Sequence, residues 1–212
     1  MTETASGIIL RTRPLTETSL IVNWLTAECG RISTVAKGAR KPKSAFSGKL
    51  DLFYEADFSF ARSKRSDLHT LREISLRETR PNVRRELAYV QQASYTAALI
   101  EQTTEKETPL PEVHELFSSF LKHLPQQPPK PRTIFAFELR LLRILGLEPD
   151  FEDTKLSAET QSLMSQLTDA DWDKLGELRA TAQQARAVQQ FLHGFLIYHL
   201  GKIPKGRAAI TV

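Results

Sequence analysis

Between Arg31 and Leu50 the chain reads RISTVAKGARKPKSAFSGKL, which holds six cations, Arg31, Lys37, Arg40, Lys41, Lys43 and Lys49, and no carboxylate. The nearest acids are Glu28 before it and Asp51 after it. Such a run suits one kind of chemistry: it neutralises phosphates of a polyanion and releases their counterions. Phe46 stands inside it, a ring on which a base could stack. Arg62, Lys64 and Arg65 form a second cluster in RSKRSD. The plainer reading is a solvated loop charged for solubility. A run this one-sided favours the anion-binding reading.

Other chemistry finds little support. His69, His114, His123, His193 and His199 share no metal-ligand spacing with one another or with Cys29. His193 and His199 are six apart and fall on different helix faces. Asp51, Glu55 and Asp57 alternate along one stretch and could hold a metal, but the water-facing side of a strand is ordinarily polar. A single cysteine makes neither an internal disulfide nor a thiolate zinc site. Neither a P-loop nor a dinucleotide fingerprint occurs. The expectation is a binding protein, not an enzyme, with no metal and no cofactor.

These cations need elements to position them. Gly7–Arg13, Ser19–Leu25, Ile32–Ala36 and Leu68–Leu76 read as strands, and Leu50–Phe60 alternates with period two, broken by Phe53. Gly38–Gly48, rich in Gly, Pro and Ser, reads as the loop that carries the charges. Five short strands in about eighty residues suit a small barrel, either an OB-fold or an SH3-like barrel. Trp24 and Tyr54 read as barrel core. After Pro81 the period changes to three and four. Leu87, Val90, Ala93, Ala97 and Ile100 mark one helix, and Val113 to Leu124 a second. PQQPPKP (125–131) reads as a stiff, non-helical spacer. Thr133–Leu145 is apolar nearly all round and reads as a central buried helix. Short helices are expected around Leu163 and Trp172. A last helix runs over Thr181–Leu200, with Ala185, Val188, Leu192, Phe195 and Leu196 inward, before a tail with three more cations. The expected class is α+β, with a barrel domain over 1–80 and a helical domain over 81–212.

Charge follows that division. Residues 1–80 carry 14 Lys and Arg against 9 Asp and Glu, while residues 81–150 carry 8 against 9 and residues 151–212 carry 7 against 7. An anion-binding N-terminal domain on a near-neutral remainder is implied. No apolar run approaches the ~18 residues of a membrane span. The polar start MTETASG does not resemble a secretion signal. A cytoplasmic protein with no membrane partner is expected.

Glu17-Thr18-Ser19-Leu20, Thr26, Gly30-Arg31, Val35-Ala36-Lys37-Gly38-Ala39-Arg40, Ser44, Gly48 and Leu50 together resemble the N-terminal domain of the bacterial recombination protein RecO family. FELRLLRILGLEPDF (137–151) is similar to the family's central helix, and Leu200-Gly201-Lys202 to Arg207 to its closing segment. The resemblance implies an N-terminal OB-fold and a helical C-terminal domain. It implies binding of single- and double-stranded DNA, strand annealing, and loading of RecA together with RecR and the single-strand binding protein SSB. With the charge pattern above, the expected DNA surface is Arg31, Lys37, Arg40, Lys41, Lys43, Phe46, Lys49, Arg62, Lys64 and Arg65. An acidic SSB tail is expected on the helical part, near Lys130, Arg132, Arg140 and Arg143 and beside Phe135 and Phe137. Many members carry four cysteines in a zinc module after the central helix. Asp150–Leu178 has none, so the module is absent here or replaced by packing around Leu156, Leu163, Met164, Leu167 and Trp172. The rival from another class is an RNA-binding barrel of the translation apparatus.

Overall fold

Alternation in the first eighty residues yields β1 (Thr2–Pro14), β2 (Leu20–Thr26), β3 (Gly30–Ala36), β4 (Glu55–Ala61) and β5 (Leu68–Glu78). The computed structural model describes residues 2–150 and 154–211; Phe151, which closes the central-helix string, lies outside them. The strands close into a barrel in the order β1-β2-β3-β5-β4. Every pairing is antiparallel except that of β3 with β5, where Ser33, Thr34 and Val35 lie beside Leu68, His69 and Thr70. This closure selects the OB-fold over the SH3-like alternative. β1 serves two partners because it is long and bulged at Leu10, where its register on β2 shifts between Ile9 and Arg11. At the crossover stands Gly7, where a Cβ would lie 2.8 Å from the Leu25 carbonyl oxygen.

Inward residues of all five strands build the barrel core: Ile9, Val22, Trp24, Ile32, Phe58, Phe60, Leu71 and Ile74 among them. Trp24 stacks on Phe58 with centroids 4.1 Å apart and donates its indole N–H to the Thr34 hydroxyl at 2.9 Å. Tyr54 packs on the same cluster, half-buried. The alternation from Leu50 does not make a strand throughout, because a turn closes from Asp51 to Tyr54 and β4 starts only at Glu55. Phe53 adopts φ 66° and is fully buried, edge-on to Phe117 at 6.4 Å. Its left-handed backbone breaks the period. Arg80 holds the turn by donating to the Phe53 carbonyl at 2.9 Å and pairing with Glu55.

The chain through Pro81 forms one compact unit together with Thr104–Ser118. The returning segment lies along the start of β3, where the Glu107 N–H donates to the Arg31 carbonyl at 2.9 Å. Gly30 has φ 65°, and a Cβ on it would meet the Thr108 carbonyl oxygen at 2.0 Å, so only glycine fits.

A second compact unit comprises Asn82–Thr103 and the residues from Ser119 onward. The helices are α1 (Leu87–Thr103), α2 (Pro111–His123), α3 (Pro131–Ile144), α4 (Ala158–Asp169), α5 (Ala182–Leu200) and α6 (Arg207–Ile210), and α2 spans the division. α3 is the central helix, with Thr133 to Leu139, Leu141 and Leu142 all buried. The proline run 125–131 is not wholly non-helical. Pro125 sits in a single 3-10 turn, Leu124–Gln126, and Pro131 opens α3, where its missing N–H has no helical acceptor to lose. On α1 the inward face is Tyr89, Gln92, Ala93, Thr96 and Ile100, whereas Leu87, expected inward, is 72% exposed in the first turn. α5 starts with a capping box between Thr181 and Gln184, which satisfies two orphan donors reciprocally. It buries Val188, Leu192 and Leu196, while Ala185 is exposed on the lip of a groove. The tail does not offer three free cations. Arg207 is buried and donates to both Glu138 oxygens at 2.7 and 2.8 Å, and the Tyr95 hydroxyl donates to Glu138 at 2.5 Å.

Candidate nucleic-acid interface

Between β3 and β4 the charged loop is a chain of turns, not an extended arm. Ala39, Lys41, Ser44, Ser47 and Lys49 each donate a backbone N–H to the carbonyl three residues earlier, at 3.1–3.3 Å. Arg40 ties the loop to the β1–β2 turn: its N–H donates to the Thr18 carbonyl and its guanidinium to that of Thr16, both at 3.0 Å. Phe46 is half-buried against the barrel core and anchors the loop from below. What remains outside is Lys37, Lys41 and Lys43, all exposed, with no ion pair or hydrogen bond from their side chains among the described residues. Lys49 is half-buried and equally unpaired among them. Glu17 is the one acid of the β1–β2 turn.

The sequence did not single out Arg13, which joins this end of the barrel. It is exposed at the close of β1, in the same cross-strand row as Ile21 and Val35. Its signal was a cation next to the turn that receives Arg40.

Two of the expected cations are occupied elsewhere. Arg31 donates Nε to the Thr104 hydroxyl at 2.7 Å and Nη2 to the Thr104 carbonyl. Arg62 grips both oxygens of Glu3 at 2.8 and 2.9 Å and also pairs with Glu107. Hydrogen bonding to Glu3 holds the Arg62 guanidinium above its ordinary pKa, against the opposing effect of burial. The β4–β5 tip carries Lys64 and Arg65, both exposed, beside an ion pair between Asp67 and Lys106 at 3.3 Å. Because β5 starts beside Ser33, this tip lies toward the Arg31 end of β3, and Lys37 follows the other end. Six residues of strand separate Arg31 from Lys37 by ~20 Å. The two basic clusters are therefore not one surface: the tip has Glu3, Asp67 and Glu107 among its cations and the β3–β4 loop has no acid from Lys37 to Leu50.

In the helical unit Arg140 is structural. It donates to the carbonyls of Thr168 and Leu167 at 3.1 and 3.2 Å, and to that of Ala170, capping the end of α4. Its guanidinium lies 4.0 Å over the Trp172 ring, and burial pushes its pKa down to about 10. Trp172 donates to Ser119 and packs on Phe120 and His123, while Leu163, Met164 and Leu167 of α4 are buried; Leu156 is half-buried. Arg143 pairs with Glu148 and Asp169 at 2.7 Å. Phe137 is core and Phe135 is 3% exposed, so neither stands free. Lys130 and Arg132, however, border an apolar groove of about 500 Å³ lined by Phe135, Leu163, Leu167, Leu178 and Val188. Arg179, which the sequence did not single out, is exposed on the same rim.

Among the described residues no group of three or more His, Cys, Asp or Glu is placed to hold a metal ion, and no helix is long and apolar enough to cross a membrane.

Residues 1–80 match the family model described as Recombination protein O N terminal, and residues 84–154 and 152–208 match that described as Recombination protein O C terminal. The chain is 33% identical over 144 residues to the DNA repair protein RecO of Bacillus subtilis, which is 68% of this chain and 56% of that one. It is 31% identical over 148 residues to that of Bacillus pumilus, 70% of this chain and 57% of the other. Against the DNA repair protein RecO of Rhodopirellula baltica the identity is 30% over 200 residues, 84% of this chain and 74% of the other. The chain spans little more than half the length of the Bacillus relatives. Two domain matches in the order of an OB-type barrel and a helical unit leave one conclusion: the chain belongs to the RecO family.

Proposed function

We propose that this chain is a non-catalytic DNA repair factor that binds single- and double-stranded DNA through the β3–β4 loop and anneals complementary strands. In this reading it loads RecA onto SSB-coated DNA together with RecR. The observation that carries the reading is the set of three exposed, unpaired lysines, Lys37, Lys41 and Lys43, on a loop held in place by turns and by Phe46. Phosphates need cations that are not already neutralised. Its relatives are named as DNA repair proteins. The site then comprises Lys37, Arg40, Lys41, Lys43 and Lys49, with Arg13 beside it and Lys64 and Arg65 as an outlying contact. Arg31 and Arg62 support the barrel in place of touching DNA.

The test is annealing of two complementary oligodeoxynucleotides, followed by loss of fluorescence from a paired dye. Purified protein should accelerate pairing at least tenfold at low salt, and less as salt rises. An RNA-binding barrel of the translation apparatus would bind oligoribonucleotides without speeding DNA pairing, and that outcome would replace this reading.

For SSB the same proposal uses the groove between α3, α4 and α5. An acidic tail ending in an apolar residue needs a cationic rim and an apolar floor. Lys130, Arg132 and Arg179 supply the rim; Phe135, Leu163 and Val188 supply the floor. Lys130→Glu with Arg179→Glu should weaken an SSB-tail peptide at least tenfold, since each charge-assisted bond contributes roughly 1.5–3 kcal/mol. DNA binding should stay within about twofold. Peptide binding that survives the double change removes the groove from consideration. Arg140 is unsuited to this test, because its loss uncaps α4.

A further inference from the structure

From Thr181 to Val212 the chain carries no carboxylate side chain. This is the same imbalance that marks the β3–β4 loop, and it falls in the other compact unit. Arg186, Lys202 and Lys205 are exposed there, and among the described residues only Arg207 is neutralised, by Glu138. Over this stretch α5 also carries a ladder of rings at helical spacing. Phe191 stacks on Phe195 at 5.7 Å, Phe195 meets His199 at 4.3 Å, and Tyr198 stands edge-on to His199 at 5.0 Å. Val188, Leu192 and Leu196 already make the helix's buried stripe. Tyr198, at 84% exposed, and Ile197, at 43%, contribute nothing comparable to the core.

Exposed rings beside cations, with no acid nearby in the chain, match the needs of a single strand of nucleic acid: π faces for bases and charge for phosphates. The end of a helix opposes this, since its last carbonyls carry partial negative charge. Here that opposition is reduced. The Gly201 N–H donates to the Ile197 carbonyl at 2.8 Å, the Gln102 amide donates to the Leu200 carbonyl at 3.5 Å, and Lys202 and Lys205 follow directly.

We infer that the last turns of α5, with Lys202 and Lys205, form a second contact for single-stranded DNA, in which a base stacks on Tyr198 or on His199 while the lysines neutralise phosphates. The inference rests on the DNA-binding reading and gives it a mechanism. Loop and ladder lie on different compact units, so each can hold its own strand while the two are paired.

The experiment uses the full chain and an oligodeoxythymidylate carrying 5-iododeoxyuridine, irradiated and mapped by peptide sequencing. Cross-links are expected at Tyr198 or His199 as well as in the β3–β4 loop. Those on α5 should persist at low salt in the Lys37→Glu, Lys41→Glu, Lys43→Glu chain. Tyr198→Ala with Lys202→Glu and Lys205→Glu should slow annealing roughly tenfold while leaving capture of one strand within a few-fold. All three residues are exposed, so the variant should melt as the parent does. Cross-links confined to the barrel, with annealing unchanged in the α5 variant, overturn the inference and leave the loop intact. A changed sedimentation coefficient in that variant, without loss of cross-links, makes the face a self-association surface and equally overturns it. If the parent binds no DNA at all, the DNA-binding reading fails first and the inference with it.

Discussion

Replacing Lys37, Lys41 and Lys43 together by Glu should lower affinity for an oligodeoxynucleotide at least about a hundredfold at 0.1 M salt, and cut the salt slope of log affinity by about 2 to 3. Each lost phosphate contact removes ~0.7 from the slope on single strands and ~0.9 on duplex, and three contacts are removed. Base preference should not change, because backbone contacts carry no sequence information. The melting temperature should not fall either, since none of the three side chains makes a hydrogen bond or ion pair among the described residues. Arg62→Gln is the control with the opposite signature. It strips Glu3 and Glu107 of a shared partner and should destabilise the barrel while moving the salt slope little. Fluorescence anisotropy over a salt series reads both. Normal binding by the lysine variant at moderate salt would remove the loop as the DNA surface.

Substituting one member of the buried pair Glu138–Arg207 should be the most damaging single change in the helical unit. Glu138 is fully buried, accepts two guanidinium bonds and the Tyr95 hydroxyl, and so joins α3, α6 and α1. Burial alone would lower the Arg207 pKa, but the bonds and charge of Glu138 outweigh it and raise it. Burial, reinforced by the carboxylate, likewise drives the Tyr95 hydroxyl up, so both groups keep their protons at neutral pH. Arg207→Met leaves a carboxylate in the interior with one neutral donor. Such a change costs about 3–5 kcal/mol, because the remaining charge has lost its partner without regaining water. Adding Glu138→Leu to Arg207→Met should recover part of that loss, since the charge left behind is then gone too. Urea unfolding of the parent, the single variant and the double variant measures this. A single variant as stable as the parent would show that the pair contributes no more than its apolar replacement.

The barrel was legible because period two is local and Gly, Pro and Ser punctuate it. Trp24 and Phe58 follow from alternation alone, and α3 from an apolar run with Gly146 behind it. What escaped depends on residues far apart in the chain. Nothing near Phe53 says that Arg80 will take its carbonyl and Phe117 will cover its ring, so Leu50–Phe60 read as one strand with a single break at Phe53. Arg31 and Arg62 looked like phosphate ligands because their partners are remote in sequence: Thr104 and Glu107 lie beyond a helix of the other unit, and Glu3 lies on β1. Leu87 fitted the apolar period of α1 but falls in a first turn that the core does not reach. Lys37, Lys41 and Lys43 were legible as exposed cations for the opposite reason: no hydrogen bond or ion pair among the described residues engages their side chains, so no distant partner had to be foreseen.

Returning residues 104–118 to the barrel unit also sets a timetable for synthesis. A ribosome that has released Pro81 has delivered all five strands but not the segment that lies along Gly30 and Arg31 or the ring that covers Phe53. At about 5–20 residues per second, Phe117 follows some 2 to 7 s later. For that interval the nascent barrel carries a solvent-facing Phe53. Meanwhile α1, already emerged, waits longer still for Glu138 to meet Tyr95. A fragment cut at residue 80 would freeze the chain in that state, so a stand-alone barrel needs its cover supplied, by residues 104–118 joined through a short linker in place of α1.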